Sequence, residues 1–566
     1  MKLKGSQLIF NKLLLNNVKH VWLYSGGAIM GLIDCFNKQN KIQYFINTHE
    51  QNLGHSATGY ARSTGKPGIC IVTSGPGLTN MITPMLDAQN DSCPLIVFSG
   101  NVPIKNMGTN AFQEAPSVAI TRPFTKWSYS IKTINELDFV LDKAFNISME
   151  GKKGVVHIDL PKCILADEIT CNLEKTTYTK TKNNINKKKI KIIANLINKS
   201  KKPVFYIGQG CNDYSYDLTK LVKKSNIPVT TTLHAVGCYD ETDNLSLKFL
   251  GMHGSVYANK AIQESDCIIA LGSRFDDRTT GNIELYSPKS KKIHCNIDNK
   301  TFNSVIKTDY NIKSDCGVFI NELNKHLVFK ERDSWLNKIS LWKKKYPFKY
   351  DSHESIIYTQ DVIKELNKQI KYKDNYIFTT GVGNHQMMTA QYYDFKTPKS
   401  LISSGSLGVM GFGLPASIGI AIANPNKKVI DIDGDGSFLM TMSDMKTAKQ
   451  YDLKNLKIII LNNKTLGMVD IWEKLFFNNR ITATDNSCAP SFYEVAKTFG
   501  FKSIKCESKK DLSSKISSLL YTEGPILCEF IVEHTPCYPL VAPGKALDDM
   551  ILWDKKQKID NTLPPS

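Results

Sequence analysis

No apolar run in this chain of 566 residues is long enough to cross a membrane as a helix. Fourteen cysteines are scattered from Cys35 to Cys537, yet no two have the two-residue spacing of a zinc pair and no group of them forms a cluster with neighbouring histidines. A zinc centre and a disulfide framework are therefore both disfavoured, and a reducing compartment is the simpler expectation. The opening Met1-Lys2-Leu3-Lys4-Gly5 passes straight into a helical pattern with nothing resembling a signal or transit peptide, so a cytoplasmic location is expected. Acidic residues are in short supply, 53 against 72 Lys and Arg, which leaves a net charge of +19. That excess is diluted along the chain rather than set on one face, and its densest run, Lys180–Lys191, reads as a solvated linker, so nucleic-acid binding is not expected.

What is present is a strand-helix-strand unit around which the rest is organised. Val429-Ile430-Asp431-Ile432-Asp433 alternates like a strand and runs into Gly434-Asp435-Gly436; Ile458-Ile459-Ile460-Leu461 suits a strand buried on both faces and runs into Asn462-Asn463. Ligands gather beyond the carboxyl ends of such strands, so Asp435 and Asn462 are expected to face one crevice. A carboxylate, an amide oxygen and the backbone carbonyl of Lys464 make half an octahedron for magnesium, whose remaining ligands come from water and phosphate oxygens. Gly434 and Gly436 let the backbone approach a diphosphate. An Asp-Gly turn and an Asn-rich loop are common on their own; it is their placement after two apolar strands that favours the metal-diphosphate reading.

The length calls for several cores. Residues 1–172 alternate short apolar strands with helical patterns, as an open parallel sheet flanked by helices requires. Residues 173–189 lose hydrophobicity and form a linker, and 190–330 repeat the strand-helix rhythm on a smaller scale. There Gly208-Gln209-Gly210 and Gly272-Ser273-Arg274 follow strands, but without the third glycine of the dinucleotide fingerprint they are equally compatible with simple turns. Residues 331–356 form a charged, aromatic connector, 357–540 a third domain containing the central unit, and 541–566 a tail. The expected fold class is α/β, with three consecutive parallel-sheet domains.

Several long motifs together resemble the thiamine-diphosphate enzymes and, more narrowly, the acetolactate synthase (acetohydroxyacid synthase) catalytic-subunit family. They include Tyr24-Ser25-Gly26-Gly27-Ala28-Ile29, His49-Glu50-Gln51, Thr73-Ser74-Gly75-Pro76-Gly77, Ala111-Phe112-Gln113-Glu114, Leu250-Gly251-Met252-His253-Gly254, Arg274-Phe275-Asp276-Asp277-Arg278, Gly411-Phe412-Gly413-Leu414-Pro415 and Gly467-Met468-Val469. The resemblance spans roughly Lys4 to Asp549.

That resemblance implies a pyrimidine-binding domain, a central FAD-binding domain and a diphosphate-binding domain, with thiamine diphosphate, Mg2+ and FAD as cofactors. It implies a homodimer or tetramer whose active site lies between subunits, a possible separate regulatory small subunit, and 2-keto acids as substrates. The reaction implied is decarboxylation of pyruvate and condensation of the two-carbon fragment with pyruvate or 2-ketobutyrate, in branched-chain amino-acid biosynthesis. Glu50 then bonds a nitrogen of the aminopyrimidine and couples its protonation to loss of the thiazolium proton. Met410 lies under the bent cofactor, while Gly27 and Gln113 polarise the acceptor carbonyl. Trp472 occupies the place that favours 2-ketobutyrate, an effect of roughly 1–3 kcal/mol for one methylene. Lys162 and Lys126 match lysines near the substrate channel.

By the same resemblance Asn384, His385, Gly408, Gly434, Gly436, Ser437, Gly467, Met468 and Val469 surround the thiamine cofactor. Gly208, Gly210, Met252, His253, Arg274, Asp276 and Arg278 hold FAD, whose role is structural in a reaction that is formally non-redox. The chain departs from the family's pattern at Ser25, Asn110, Asn384, Met388, Ser406 and Val409; Asn384 replaces a longer glutamine, and Ser406 and Val409 stand inside an otherwise glycine-rich segment. Three other readings stand beside this one: a related decarboxylase or pyruvate oxidase, a catalytically impaired regulatory homologue, and a basic binding protein.

Overall fold

The computed structural model describes residues 2–37, 39–177 and 185–553. Part of the Lys180–Lys191 run and residues 554–566 of the expected tail lie outside the described residues.

Three six-stranded sheets, each wholly parallel, follow one another along the chain. In the first, the spatial order is Gln43–Phe45, His20–Leu23, Gly68–Val72, Leu95–Asn101, Val155–Pro161, Trp127–Ser130. The second runs Ser246–Phe249, Val229–Thr231, Pro203–Ile207, Cys267–Leu271, Lys291–Asn296, Tyr310–Lys313, and the third Leu401–Ser403, Tyr376–Thr380, Lys428–Gly434, Leu456–Asn462, Ile526–Ile531, Lys502–Cys506. The central strands of each, such as Gly68–Val72, Pro203–Ile207 and Leu456–Asn462, are buried along their whole length. This is why their sequences are near-continuous apolar runs: helices cover both faces of the sheet.

Each order reverses direction near its middle, and the first and third reverse again at their far edge; at the first reversal the loops leaving two neighbouring strands diverge to opposite faces and open a crevice. In the first sheet the reversal lies between His20–Leu23 and Gly68–Val72, in the second between Pro203–Ile207 and Cys267–Leu271, and in the third between Tyr376–Thr380 and Lys428–Gly434. The residues that follow these strands are Tyr24–Ala28 and Thr73–Gly77, Gly208–Gly210 and Gly272–Arg274, and Gly381–His385 and Asp435–Ser437. All three pairs of motifs thus stand at carboxyl-end crevices.

The first and third domains are clamped together by two helices, Glu50–Thr64 and Gly413–Ala423. Their backbones approach so closely that a Cβ on Gly59 would stand 2.2 Å from the Ala416 carbonyl oxygen and one on Gly419 1.8 Å from that of Ser56. Only glycine permits such a crossing. Ser56 Oγ donates to the Pro415 carbonyl at 2.7 Å, and the buried Asp444 accepts from Asn47 Nδ2 at 2.8 Å and from the Thr48 amide at 2.9 Å.

The connector after the second sheet contains the helix Asp333–Lys345, which buries Trp335 and Trp342 against the central domain. Residues beyond the third sheet return to that domain: Leu540–Val541 pairs with Met550–Ile551, the Val541 amide donates to the Met252 carbonyl at 2.9 Å, and Asn259 Nδ2 donates to that of Leu547 at 2.9 Å.

Candidate active site

In the third domain a cleft at the sheet reversal is lined by Asn384, His385, Met410, Asp435, Asn463 and Gly467, among others. Asp435 opens the short helix Asp435–Leu439 directly after its strand and is buried. Burial holds its carboxyl above the usual carboxylate range, and Asn486 Nδ2, donating to Oδ2 at 2.6 Å, works against that shift. A cation beside it would favour the charged form further. Gly434 lies against the His385 ring, since a Cβ there would meet Nδ1 at 2.8 Å. Ser437 Oγ accepts from the Gly411 amide at 2.9 Å and so ties the Gly408–Gly411 segment to this helix. Met410 reaches over Gly436, with Cε 3.6 Å from where a Cβ would be.

Two of the three expected metal ligands are turned elsewhere. Asn462 Nδ2 donates to Glu529 Oε1 at 2.8 Å, and its Oδ1 accepts from the Lys464 amide at 3.2 Å. The Lys464 carbonyl accepts from the Asn486 amide at 2.9 Å. Because residues alternate sides as the strand ends, Asn463 and Thr465 line the cleft in their place. Among the described residues no group of three His, Cys, Asp or Glu could hold a metal. A cation here must therefore draw on amide and carbonyl oxygens, water and phosphate, which is the donor set magnesium accepts.

Asn384 begins the helix Asn384–Tyr392, and its buried Oδ1 has no partner. Its Nδ2 donates to the Thr535 carbonyl at 3.4 Å. An unsatisfied side chain at a helix amino end facing a glycine-lined cleft is what a diphosphate can complete. His385 Nε2 lies 3.3 Å from Asp433 Oδ1. Asp433 and Asp431 share one face of the strand, and burial, then the neighbouring Asp433, push the Asp431 carboxyl well up. This acid pair was not among the expected site residues; its signal was the two acids at alternate positions of an otherwise apolar strand.

The first domain gathers a second set. Glu50 is the first residue of its helix and accepts from Asn80 Nδ2 at 2.9 Å through Oε2. Gln113, at φ 61°, packs its backbone against Gly75, while Gly27 is exposed with nothing within 4 Å of a Cβ position. Among the described residues of 1–172, none lines the Asp435 cleft of the same chain. The two half-sites are therefore separate within one subunit.

The remaining expected residues divide. Trp472 is half-buried on the helix Gly467–Phe476, edge-on to Phe476 at 5.1 Å, and the neighbouring Met468 and Val469 line the cleft. Lys162 is exposed. Lys126 is not free for a substrate channel: its amine, lowered to about 8 by burial, donates to the Ile147 and Glu150 carbonyls that end a helix.

At the reversal of the second sheet a larger cleft is lined by Gly208, Gly210, Arg274 and Asp276, with Asp91 from the first domain and Lys399 from the third. Its two glycine turns touch, a Cβ on Gly208 falling 2.2 Å from the Gly272 carbonyl oxygen. Met252, His253 and Arg278 do not line it. The buried His253, lowered to about 4 by burial, holds the Cys537 carbonyl at 3.0 Å, and Met252 accepts from Arg278 Nη1 at 3.4 Å. The cleft has the glycine turns, cationic side chains and switch-point placement that suit a dinucleotide.

Comparison with known proteins agrees with this arrangement. Models of the thiamine pyrophosphate enzymes match all three domains: the N-terminal TPP binding domain over residues 3–120, the central domain over 190–323 and the C-terminal TPP binding domain over 381–530. Fold and matches together define a thiamine pyrophosphate enzyme. The chain is 40% identical to the mitochondrial acetolactate synthase catalytic subunit of Saccharomyces cerevisiae, over 99% of this chain and 85% of that one. It is 37% identical to the chloroplastic acetolactate synthase of Arabidopsis thaliana (97% and 84%) and 36% identical to the acetolactate synthase large subunit of Cyanidium caldarium (98% and 97%). The chain belongs to the acetolactate synthase family.

Proposed function

We propose that this chain is the catalytic subunit of an acetolactate synthase, decarboxylating pyruvate and condensing the two-carbon fragment with a second 2-keto acid, pyruvate or 2-ketobutyrate. The observation that carries the reading is the pair of half-sites, Glu50 on the first sheet and the Asp435 cleft on the third, in a chain with near full-length family identity. Their separation within one subunit is what a site completed by a second copy requires, so the working unit is a homodimer or a higher even assembly. Relatives named catalytic or large subunit support a separate regulatory subunit as partner.

Asp435, the Asn463 amide oxygen and the Thr465 carbonyl would hold Mg2+, which neutralises a diphosphate seated at Asn384 and the Gly434–Ser437 turn. Thiamine diphosphate, when bound, supplies the electron sink that decarboxylation needs. Met410 would pack against it, Glu50 of the other subunit would move a proton at the pyrimidine, and Gly27 and Gln113 would orient the acceptor keto acid. Trp472 would favour the acceptor with one more methylene, and Lys162 remains a candidate at the channel mouth. FAD would fill the central cleft through Gly208, Gly210, Arg274 and Asp276. All fourteen cysteines are free, which suits a reducing compartment.

Purified protein supplied with Mg2+, thiamine diphosphate and FAD should form acetolactate from pyruvate, and acetohydroxybutyrate when 2-ketobutyrate is added. Folded, cofactor-loaded protein that forms neither would overturn the reading.

A further inference from the structure

The two cofactor clefts have no lining residue in common, but a short run of chain joins them. Asp91, buried at the end of the helix Ile82–Asn90, brings side chains or amides of all three domains to one carboxylate. Arg62 Nη1 of the first domain lies at 3.4 Å, His234 Nε2 of the second at 3.0 Å, and the Gly405 and Ser406 amides of the third at 3.1 and 3.0 Å. One turn earlier on the same helix, Asp87 Oδ1 accepts from Ser404 Oγ at 2.5 Å, and Ser404 Oγ in turn accepts from the Val409 amide at 2.9 Å. Residues 404–409 are thus closed into a loop and pinned by two carboxylates, and the next residue is Met410, which stands over Gly436.

Besides Asp91, which also lines the central cleft, a second side chain joins this loop to it. Arg274 Nη2 donates to Ser406 Oγ at 2.6 Å, and Nη1 donates to the Asn90 carbonyl at 3.2 Å. The guanidinium has five donors, so three remain for a ligand in the cleft that Arg274 lines. Ser406 stands in a segment that the resemblance makes otherwise glycine-rich, and a glycine there would have no hydroxyl to accept this bond. The serine side chain meets Arg274 and does not line the Asp435 cleft.

We propose that Ser406 is a positioning residue that couples the two clefts: a dinucleotide whose phosphates engage Arg274 fixes the guanidinium, and through Ser406 the loop that carries Met410, and thereby tightens binding of thiamine diphosphate. The inference rests on the reading of the two clefts as flavin and thiamine sites. Linkage makes it reciprocal, so thiamine diphosphate tightens the dinucleotide by the same factor.

The test is a pair of titrations on the full chain at saturating Mg2+: thiamine diphosphate by calorimetry with and without FAD, and FAD by flavin fluorescence with and without thiamine diphosphate. The wild type should show the same ratio in both directions, about fivefold or more. In Ser406→Ala the ratio should fall towards one while each cofactor, titrated alone, keeps its affinity within about threefold. Arg274→Lys, which keeps the charge but not the forked geometry, should also lose the ratio. A wild-type ratio of one, or a ratio that survives in Ser406→Ala, would sink the coupling while leaving the two sites standing. A wild type that binds neither cofactor would instead remove the functional reading and this inference together.

Discussion

Asn462 turns its amide onto Glu529, 2.8 Å away on the neighbouring strand, and leaves the cleft to Asn463. Glu529 is buried and takes its other bonds from the Tyr493 amide at 2.9 Å and Ser491 Oγ at 3.3 Å. The two adjacent asparagines should therefore fail differently when cut to alanine. Asn462→Ala leaves a buried carboxylate short of a donor and should cost about 1–3 kcal/mol in chemical denaturation, with little change in thiamine diphosphate affinity once folded. Asn463→Ala should keep its denaturation midpoint and lose metal-dependent cofactor binding at least tenfold. The reverse pattern would return the metal to Asn462.

That distinction marks where reading the sequence stops. Strands such as Gly68–Val72 and Pro203–Ile207, and the helix Thr359–Gln369, are legible because a buried run or an amphipathic period spans several residues. Val229–Thr231 and Leu401–Ser403 are three residues each, too short for any period, and take their places from the strands beside them. Asp435 is legible because glycines flank it at a strand end. Which of Asn462 and Asn463 faces it depends on a single-residue register, and a shift of one turns a side chain to the other face. The bond between Ser406 and Asp91 joins residues 315 positions apart and belongs to the docking of domains, which no local pattern encodes.

Glu50 offers a second test. It should move a proton rather than hold the cofactor, so Glu50→Gln should slow hydrogen–deuterium exchange at the acidic ring carbon of bound thiamine diphosphate by about 10²–10⁴-fold, the usual size of acid-base catalysis. Cofactor affinity should change much less. Unaltered exchange would take Glu50 out of that role.

Acid stability depends on two histidines buried in the fold. His55 and His157 are fully buried, and burial lowers each to about 3. Each stays neutral in the fold but takes a proton on unfolding below about pH 6.5, so its contribution is complete above that pH and is lost as the pH falls towards 3. Asp87 and Glu241 act in the opposite sense: burial raises each to about 7, they hold protons in the fold that the unfolded chain has released, and their contribution weakens as pH rises from about 4 to 7. His55 has no hydrogen-bond partner, stands 4.0 Å from Asp87 and packs edge-on to Phe412 at 5.2 Å. His55→Phe should therefore flatten the decline in Tm between pH 7.5 and 5.0. An unchanged slope would show that His55 does not contribute to it.

The crossing of Gly59 and Gly419 sets where Glu50 is presented, because Glu50 opens the very helix that Gly419 touches. In Gly419→Ala the new methyl carbon would lie 1.8 Å from the Ser56 carbonyl oxygen, and that atom is backbone, so the helices must part. Parting them strains the 2.7 Å bond from Ser56 to the Pro415 carbonyl and the bonds of Asn47 and Thr48 to Asp444. Overpacking of this kind costs about 1–3 kcal/mol, and a clash with backbone belongs at the upper end. The glycine turns of the central cleft, Gly208 and Gly272, stand on another sheet and do not meet the new methyl, although Arg62 of the displaced helix and Lys399 also line that cleft. Gly419→Ala should thus lower the denaturation midpoint and impair acetolactate formation while flavin binding persists in the folded fraction. A midpoint and activity equal to the wild type would mean that the two helices have room the crossing denies them.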